Sequence, residues 1–272
     1  MTLAANPSHP PRHRWTRPRR LIPLALLLLI LLAVIGLKLS SRSSLERELA
    51  AIRAQGLPTN PIELDRWYTH VPASSNAALK FLEAYQHIVS PPPKENPDMI
   101  GLKDIPHDQP LDLNSKRIVE EHVTKNKETL QVLHEAARFP LSRYPAEIHK
   151  APEFNSTHLS PVMQLIRLLR WEAIIAAEQK DSAAASQALQ TGFALGQTLA
   201  REPLLISELV RIACVSIQLV GMERVVTATE FNDTQLAALV AAIKSAEAHC
   251  RPAFQRAFIG ERAFANTGRL MT

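Results

Sequence analysis

The stretch PVMQLIRLLRWEAIIAAEQKDSAAASQALQTGFALGQTLAREPLLISELVRIACVSIQLVGMERVV, residues 161–226, reads as three helices in succession. In the first, Val162, Leu165, Ile166, Leu169, Ala173 and Ala176 recur at three- and four-residue steps, as on a helix with one apolar face. Lys180-Asp181 interrupts the pattern, and Asp181 is placed to cap the next helix. There Ala184, Ala188, Gly192, Gly196 and Ala200 stand four residues apart. Small side chains along such a row let a neighbouring helix approach closely. In lipid, Gly192-x-x-x-Gly196 would be a dimerisation motif. Gln187, Gln190, Gln197 and Arg201 argue against lipid, so the row predicts packing on the preceding or following helix. Residues 203–226 are very apolar but are interrupted by Glu208, Arg211, Gln218, Glu223 and Arg224. Each central charge costs roughly 2.5–3.5 kcal/mol on an insertion scale, so a core helix is expected there and not a membrane span. Glu208 and Arg211, three apart, are expected to pair on its surface.

Toward the C-terminus, Asn232 and Gln235 form a capping arrangement, with Phe231 and Leu236 at the positions of a hydrophobic staple. That helix is expected to end near His249-Cys250, and residues 252–265 form a last segment carrying Phe254, Phe258 and Phe264. The sequence stops at Thr272 without a polar tail, as a truncated C-terminus would. Toward the N-terminus, Val119, Val123, Leu130, Leu133 and Ala137 predict one long helix over residues 116–138. A loop leads from Phe139-Pro140 to Ser160-Pro161, where a cap with proline at the first helical position is expected. Six prolines between 91 and 110 exclude a regular helix or central strand and read as a connector. Ala78, Phe81, Leu82, Tyr85 and Ile88 mark another helix, preceded by a proline-rich connector at 57–73. Ser43 and Glu46 have the spacing of a capping box, predicting a short helix that Gln55-Gly56 stops. Eight glycines against twenty prolines favour helices over a β-sandwich. The fold class is all-α.

LIPLALLLLILLAVIGL, residues 21–37, contains no charge. As a helix it covers roughly 25 Å, near the lower limit for a bilayer core, and Lys38 and Leu39 extend it. Arg12, Arg14, Arg17, Arg19 and Arg20 precede it with no acid among them. Such a flank holds its end in the cytoplasm, which leaves the rest of the chain outside. A cleavable signal would have a shorter apolar core and a better exit than GLKLSSRSS. The Arg19-Arg20 pair lacks the neighbours of a twin-arginine signal. An inner-membrane anchor is the expected role.

The net charge of +5 has the same origin. Without those five arginines, 26 basic residues face 26 acidic ones. A nucleic-acid surface needs its excess on the folded part, so no nucleic-acid partner is expected.

WYTHVPASSNAALKFLEAY, at 67–85, and the run from Arg167 to Ala213 carry a resemblance. Over roughly residues 45–265 the chain is similar to uncharacterised bacterial single-pass membrane-anchored proteins with an α-helical extracytoplasmic domain. The resemblance implies that architecture and no activity, because its motifs are packing signatures. The pair of helices around Lys180-Asp181 also resembles a tetratricopeptide-type hairpin, but no copy recurs near 34 residues.

The expected organisation is a basic cytoplasmic tail at 1–20 and a transmembrane helix at 21–39. Juxtamembrane helices at 40–90, a proline-rich connector at 91–113 and an extracytoplasmic domain at 114–272 follow, the last as antiparallel helical hairpins. No catalytic, cofactor-binding or metal-ligating residues are assigned. The ten histidines show no metal spacing; His122 and His134, twelve apart on one expected helix, cannot share an ion. Glu120-Glu121 beside His122 reads as a solvated face, and Ser207 before Glu208 as an ordinary helical serine. Cys214 and Cys250 either pair or stay free. Asn155 and Asn232 match the glycosylation sequon, the second more simply a cap. The function expected is an interaction or structural module of the bacterial envelope, with an envelope protein as partner and the bilayer held through residues 21–39. The alternative is an anchored enzyme with a site in the loop at 139–158, around His149, Glu153, Asn155 and His158.

Overall fold

A computed structural model describes residues 21–100, 105–150 and 156–266. The arginine-rich residues 1–20, part of the 139–158 loop with Glu153 and Asn155, and residues 267–272 lie outside them. The described residues form nine α-helices, short 3-10 turns and no strand: the fold is all-α. They are α1 (Leu21–Ala54), α2 (Pro61–Trp67), α3 (Ala77–Gln86), α4 (Leu113–Lys125), α5 (Lys127–Ala136), α6 (Leu159–Glu178), α7 (Ser182–Gln197), α8 (Leu205–Ala228) and α9 (Asp233–Ala265). The chain divides into two units, residues 1–55 and 56–272.

In the first unit, α1 is continuous through Ser43. A helix already running has no free amides there to cap, and the Ser43 hydroxyl donates back to the Ser40 carbonyl at 2.9 Å. The side chains of Leu26–Leu37 are exposed throughout. Gly56, at φ +72°, takes the left-handed conformation that ends the helix.

In the second unit, α6 is central, with twelve buried residues. Its first half packs with α3, α5 and the Tyr144 ring, and its second half with α7, Val119, Val225 and Leu239. Asp181 caps α7 as expected, accepting from the Ala184 N–H at 2.9 Å. The small-residue row of α7 packs on the following helix, α8. A carbon added at Gly196 would lie 3.3 Å from Cys214 Cβ, and one at Gly192 would overlap the Gln218 carboxamide.

Several boundaries differ from the sequence expectation. Asn126 splits the helix expected over 116–138, because its side chain is engaged elsewhere. It accepts from the Val89 N–H at 2.7 Å and donates to the Val89 and His122 carbonyls. The connector at 57–73 contains α2, whose cap Asn60 accepts from Glu63 N–H while the Glu63 carboxylate accepts from Thr59 N–H. At the start of α6, His158 is the cap residue and Pro161 the third helical one; the His158 ring is taken by Glu202. The α9 helix begins at the expected capping box on Asn232 but does not end at Cys250. It runs through Pro252, since Ala246, Ala253, Ala257, Gly260 and Ala263 keep one buried face across the break. Burial there offsets the roughly 3 kcal/mol that an interior proline costs.

Helix α8 is long and apolar enough to cross a membrane by length and composition, with mean hydropathy 1.7 in its best window, while Leu26–Leu37 is a shorter apolar stretch. Length and composition therefore do not exclude α8 as a span. The Glu208–Arg211 pair is fully buried and not on the helix surface. Arg211 Nε and Nη2 donate to the two Glu208 carboxylate oxygens at 2.7 and 2.8 Å, and Nη2 also reaches Cys250 Sγ. Further along, Gln218 donates to the Ile166 carbonyl at 2.9 Å, and Arg224 donates to the Ile105 and Gln109 carbonyls.

Breaking a buried ion pair strands a charge, whereas replacing both partners does not. Arg211→Met is expected to lower unfolding free energy by about 3–5 kcal/mol, and Glu208→Leu/Arg211→Met to restore most of it. Denaturant unfolding of the two variants checks this; equal losses would contradict it.

Candidate functional site

A cleft of about 850 Å3 lies where α7, α9 and the end of α5 meet. One wall is a face of α7 and of the 3-10 turn that continues it, Thr198–Arg201, on which Ala183, Gln187, Gln190, Ala194, Gln197 and Arg201 recur at four- and three-residue steps. The facing wall is Thr234, Ala238, Ala242, Ser245 and His249 of α9, with the same period and mostly small side chains. The two helices run side by side in the same sense. Gln235 reaches Ser182 near their starts, at 3.3 Å, and Arg211 touches both Gln197 and the Ala246 carbonyl further on. The third side is His134, Arg138 and residues 139–142. Arg138, Arg201 and His249 are exposed, and none of the described lining residues is Asp or Glu.

His134 separates this cleft from a second one of about 820 Å3, lined by Glu120, Glu135, Glu172, Lys127 and Arg138 among others. Its Nε2 lies 3.1 Å from Glu172 Oε1 and its Nδ1 2.8 Å from Thr191 Oγ1. A carboxylate only accepts, so Nε2 carries a proton, and in a neutral ring Nδ1 would accept from the threonine hydroxyl. The order hydroxyl, imidazole, carboxylate is that of an activated nucleophile. Thr191, however, is buried in the middle of α7, where neighbouring backbone amides are spent on helix bonds. No oxyanion donors face the hydroxyl from that backbone, so the chain of bonds ties α5, α6 and α7 together without an acyl-transfer site.

Beside the cleft, a buried polar cluster pins the loop after α5. Ser142 donates to the Thr198 carbonyl at 2.9 Å, and Tyr144 to the Thr198 hydroxyl at 2.7 Å. The Tyr144 ring stacks on His158, with centroids 4.4 Å apart, and His158 Nε2 donates to Glu202 at 2.9 Å. Arg143 pairs with Asp65 at 2.7 Å and lies over the Tyr68 ring. Asn76 brackets its backbone, donating to the Arg143 carbonyl and accepting from its N–H. Burial pushes the Tyr144 hydroxyl well above its usual pKa; the Thr198 hydrogen bond opposes this and the Glu202 charge adds to it. Burial and the same carboxylate push Tyr68 up as well.

The residues suspected from sequence do not converge. His149 is half-exposed against Asp65 at 3.3 Å, and His158 is buried in its pair with Glu202. His122 and His134 sit on different helices, and burial lowers the His122 pKa. Glu121 pairs with Arg117 and Lys125 on the surface, and Ser207 is buried. Cys214 and Cys250 are free thiols. Among the described residues, no group of three or more His, Cys, Asp or Glu could hold a metal. The cleft itself was missed, although Gln187, Gln190, Gln197 and Arg201 are visibly polar on an alanine-rich helix. Their seven-residue period, matched by the small residues of α9, is the signal that marks it.

No protein-family model, curated protein or solved structure matches the chain.

Tyrosines held protonated in the fold bind more protons than they do unfolded once the pH exceeds about 10, the unperturbed value. Stability is therefore insensitive to these two groups below that pH and falls above it. Thermal melts at pH 9 and 10.5 should show a smaller loss for Tyr68→Phe/Tyr144→Phe than for the wild type; identical slopes would remove the tyrosines as its source.

Proposed function

We propose that this chain is a single-pass protein of the bacterial inner membrane whose helical domain is a protein-interaction module outside the cytoplasm. Residues 21–39 serve as the anchor, with the arginine-rich N-terminus in the cytoplasm, and residues 114–272 work as antiparallel helical hairpins. The observation that carries the interaction role is the open cleft between α7 and α9, with its period of glutamines, alanines and basic side chains. Amide side chains pair with peptide groups, and small residues admit a backbone close to the wall; neither supplies a nucleophile or a general base. Support for the anchor comes from the apolar side chains of Leu26–Leu37, which are exposed to the last one. Support for α8 as an internal helix comes from its charged and amide groups, which are paired with protein atoms of α6, α9 and the 105–109 segment.

Two measurements test the reading. A photo-cross-linker at Gln190, in the cleft wall, should yield a discrete adduct in intact cells, and one at the exposed Leu113 should not; equal labelling would sink the interaction role. For the anchor, Leu29→Arg places a charge mid-span at roughly 2.5–3.5 kcal/mol. It should shift protein from the carbonate-resistant membrane fraction to the soluble one, whereas an unchanged distribution would count against residues 21–39 as the span.

A further inference from the structure

The cleft has a length, a lining and a sign. Its α9 wall runs from Thr234 to His249, about 22 Å at helical rise. An extended chain advances about 3.3 Å per residue, so some six or seven residues fit end to end. A compact small molecule would leave most of such a trough empty. Gln187, Gln190 and Gln197 face it along one line, with donors and acceptors at the spacing of successive helical turns. Its rim carries Arg138 and Arg201, for which no acidic partner is present among the described residues. Of the nearby carboxylates, Glu172 pairs with His134 and Glu202 with His158, while Glu120 and Glu135 line the second cleft and not this one. Arg256, outside the lining, adds positive charge near Arg201. It donates to the Ala200 carbonyl at 2.7 Å, and its pKa is lowered first by burial and then by repulsion from Arg201. Arg138 and Arg201 on the rim of a cleft lined by no acid favour an anion over a neutral occupant. A single-stranded nucleic acid needs exposed aromatic platforms, and of the two aromatics here Phe193 is buried while Phe139 is only partly exposed.

Resting on the interaction reading above, we propose that this cleft binds an extended acidic segment of a partner protein, its backbone along the glutamines of α7 and its carboxylates on Arg138 and Arg201. The test uses the full chain in neutral detergent and fluorescein-labelled peptides of about seven residues, read by anisotropy. A Glu/Ser peptide should bind about tenfold or more tighter than its Gln/Ser counterpart. That advantage should shrink as salt is raised. Arg138→Gln and Arg201→Gln should each weaken the acidic peptide about fivefold, the worth of one exposed charge contact. Lys94→Gln, outside the cleft, should change nothing. Equal binding of the two peptides, or indifference to both arginine substitutions, would overturn the inference. So would complete displacement by inorganic phosphate at low concentration, which would mark a small-anion site. If the Gln190 cross-link persists in cells while the peptides bind alike, only the acidic chemistry fails; if the cross-link is absent, the interaction reading fails with it.

Discussion

A helix with twelve buried residues needs neighbours on nearly every side, and the need to cover α6 sets the arrangement of the second unit. Its first half is closed by α3, α5 and Tyr144, its second by α7 and α8. Helices cannot crowd around one axis unless some of them come unusually close to each other. Gly192 and Gly196 permit this between α7 and α8, where an added carbon meets Gln218 or Cys214. Gly260 does the same on α9, where an added carbon would overlap the Pro203 carbonyl. With the apolar faces of α7 turned inward to α6 and α8, its remaining face, Gln187 through Arg201, is left to line the cleft. The site is a consequence of the packing.

What was legible in the sequence follows from how local its cause is. Asp181, three residues before Ala184, and Asn232, three before Gln235, cap their helices as read, because a cap involves only adjacent residues. The all-α class and the close approach of α7 to a chain neighbour were legible for the same reason. The misread boundaries each have a distant partner. Asn126 breaks a helix for the backbone of Val89, 37 residues earlier. His158 is turned from a loop residue into a buried one by Glu202, 44 residues later. Pro252 fails to end α9 because the helix is buried on both sides of it. Periodicity in a single window cannot carry such terms.

The site was less legible still, since its walls come from residues 134–142, 183–201 and 234–249. The loop at 139–158 drew attention because it concentrates polar side chains, and loops often hold function. Here Ser142, Arg143 and Tyr144 spend their polar groups on Thr198, Asp65, Asn76 and Tyr68. That spending rigidifies the strap beside the cleft and leaves only residues 139–142 to line it. Polar composition marks where hydrogen bonds will form, and burial decides whether they are internal or offered to a partner.

The contrast between α1 and α8 turns on the same distinction. Both are apolar enough to attract a membrane reading, and α8 is the longer apolar helix among the described residues. A bilayer offers no hydrogen bonds, so a spanning helix does best when its side chains ask for none. The run Leu26–Leu37 asks for none. In α8, Glu208 and Arg211 satisfy each other, but Arg211 has further donors, and these reach Gln197, the Ala246 carbonyl and Cys250. Gln218 and Arg224 likewise depend on Ile166 and on the 105–109 segment. Drawing α8 into lipid would require every one of those bonds to break or its partners to follow, at several kcal/mol for each stranded charge. The polar residues of α8 are tied to partners in the bundle, whereas the Leu26–Leu37 stretch of α1 carries none to tie.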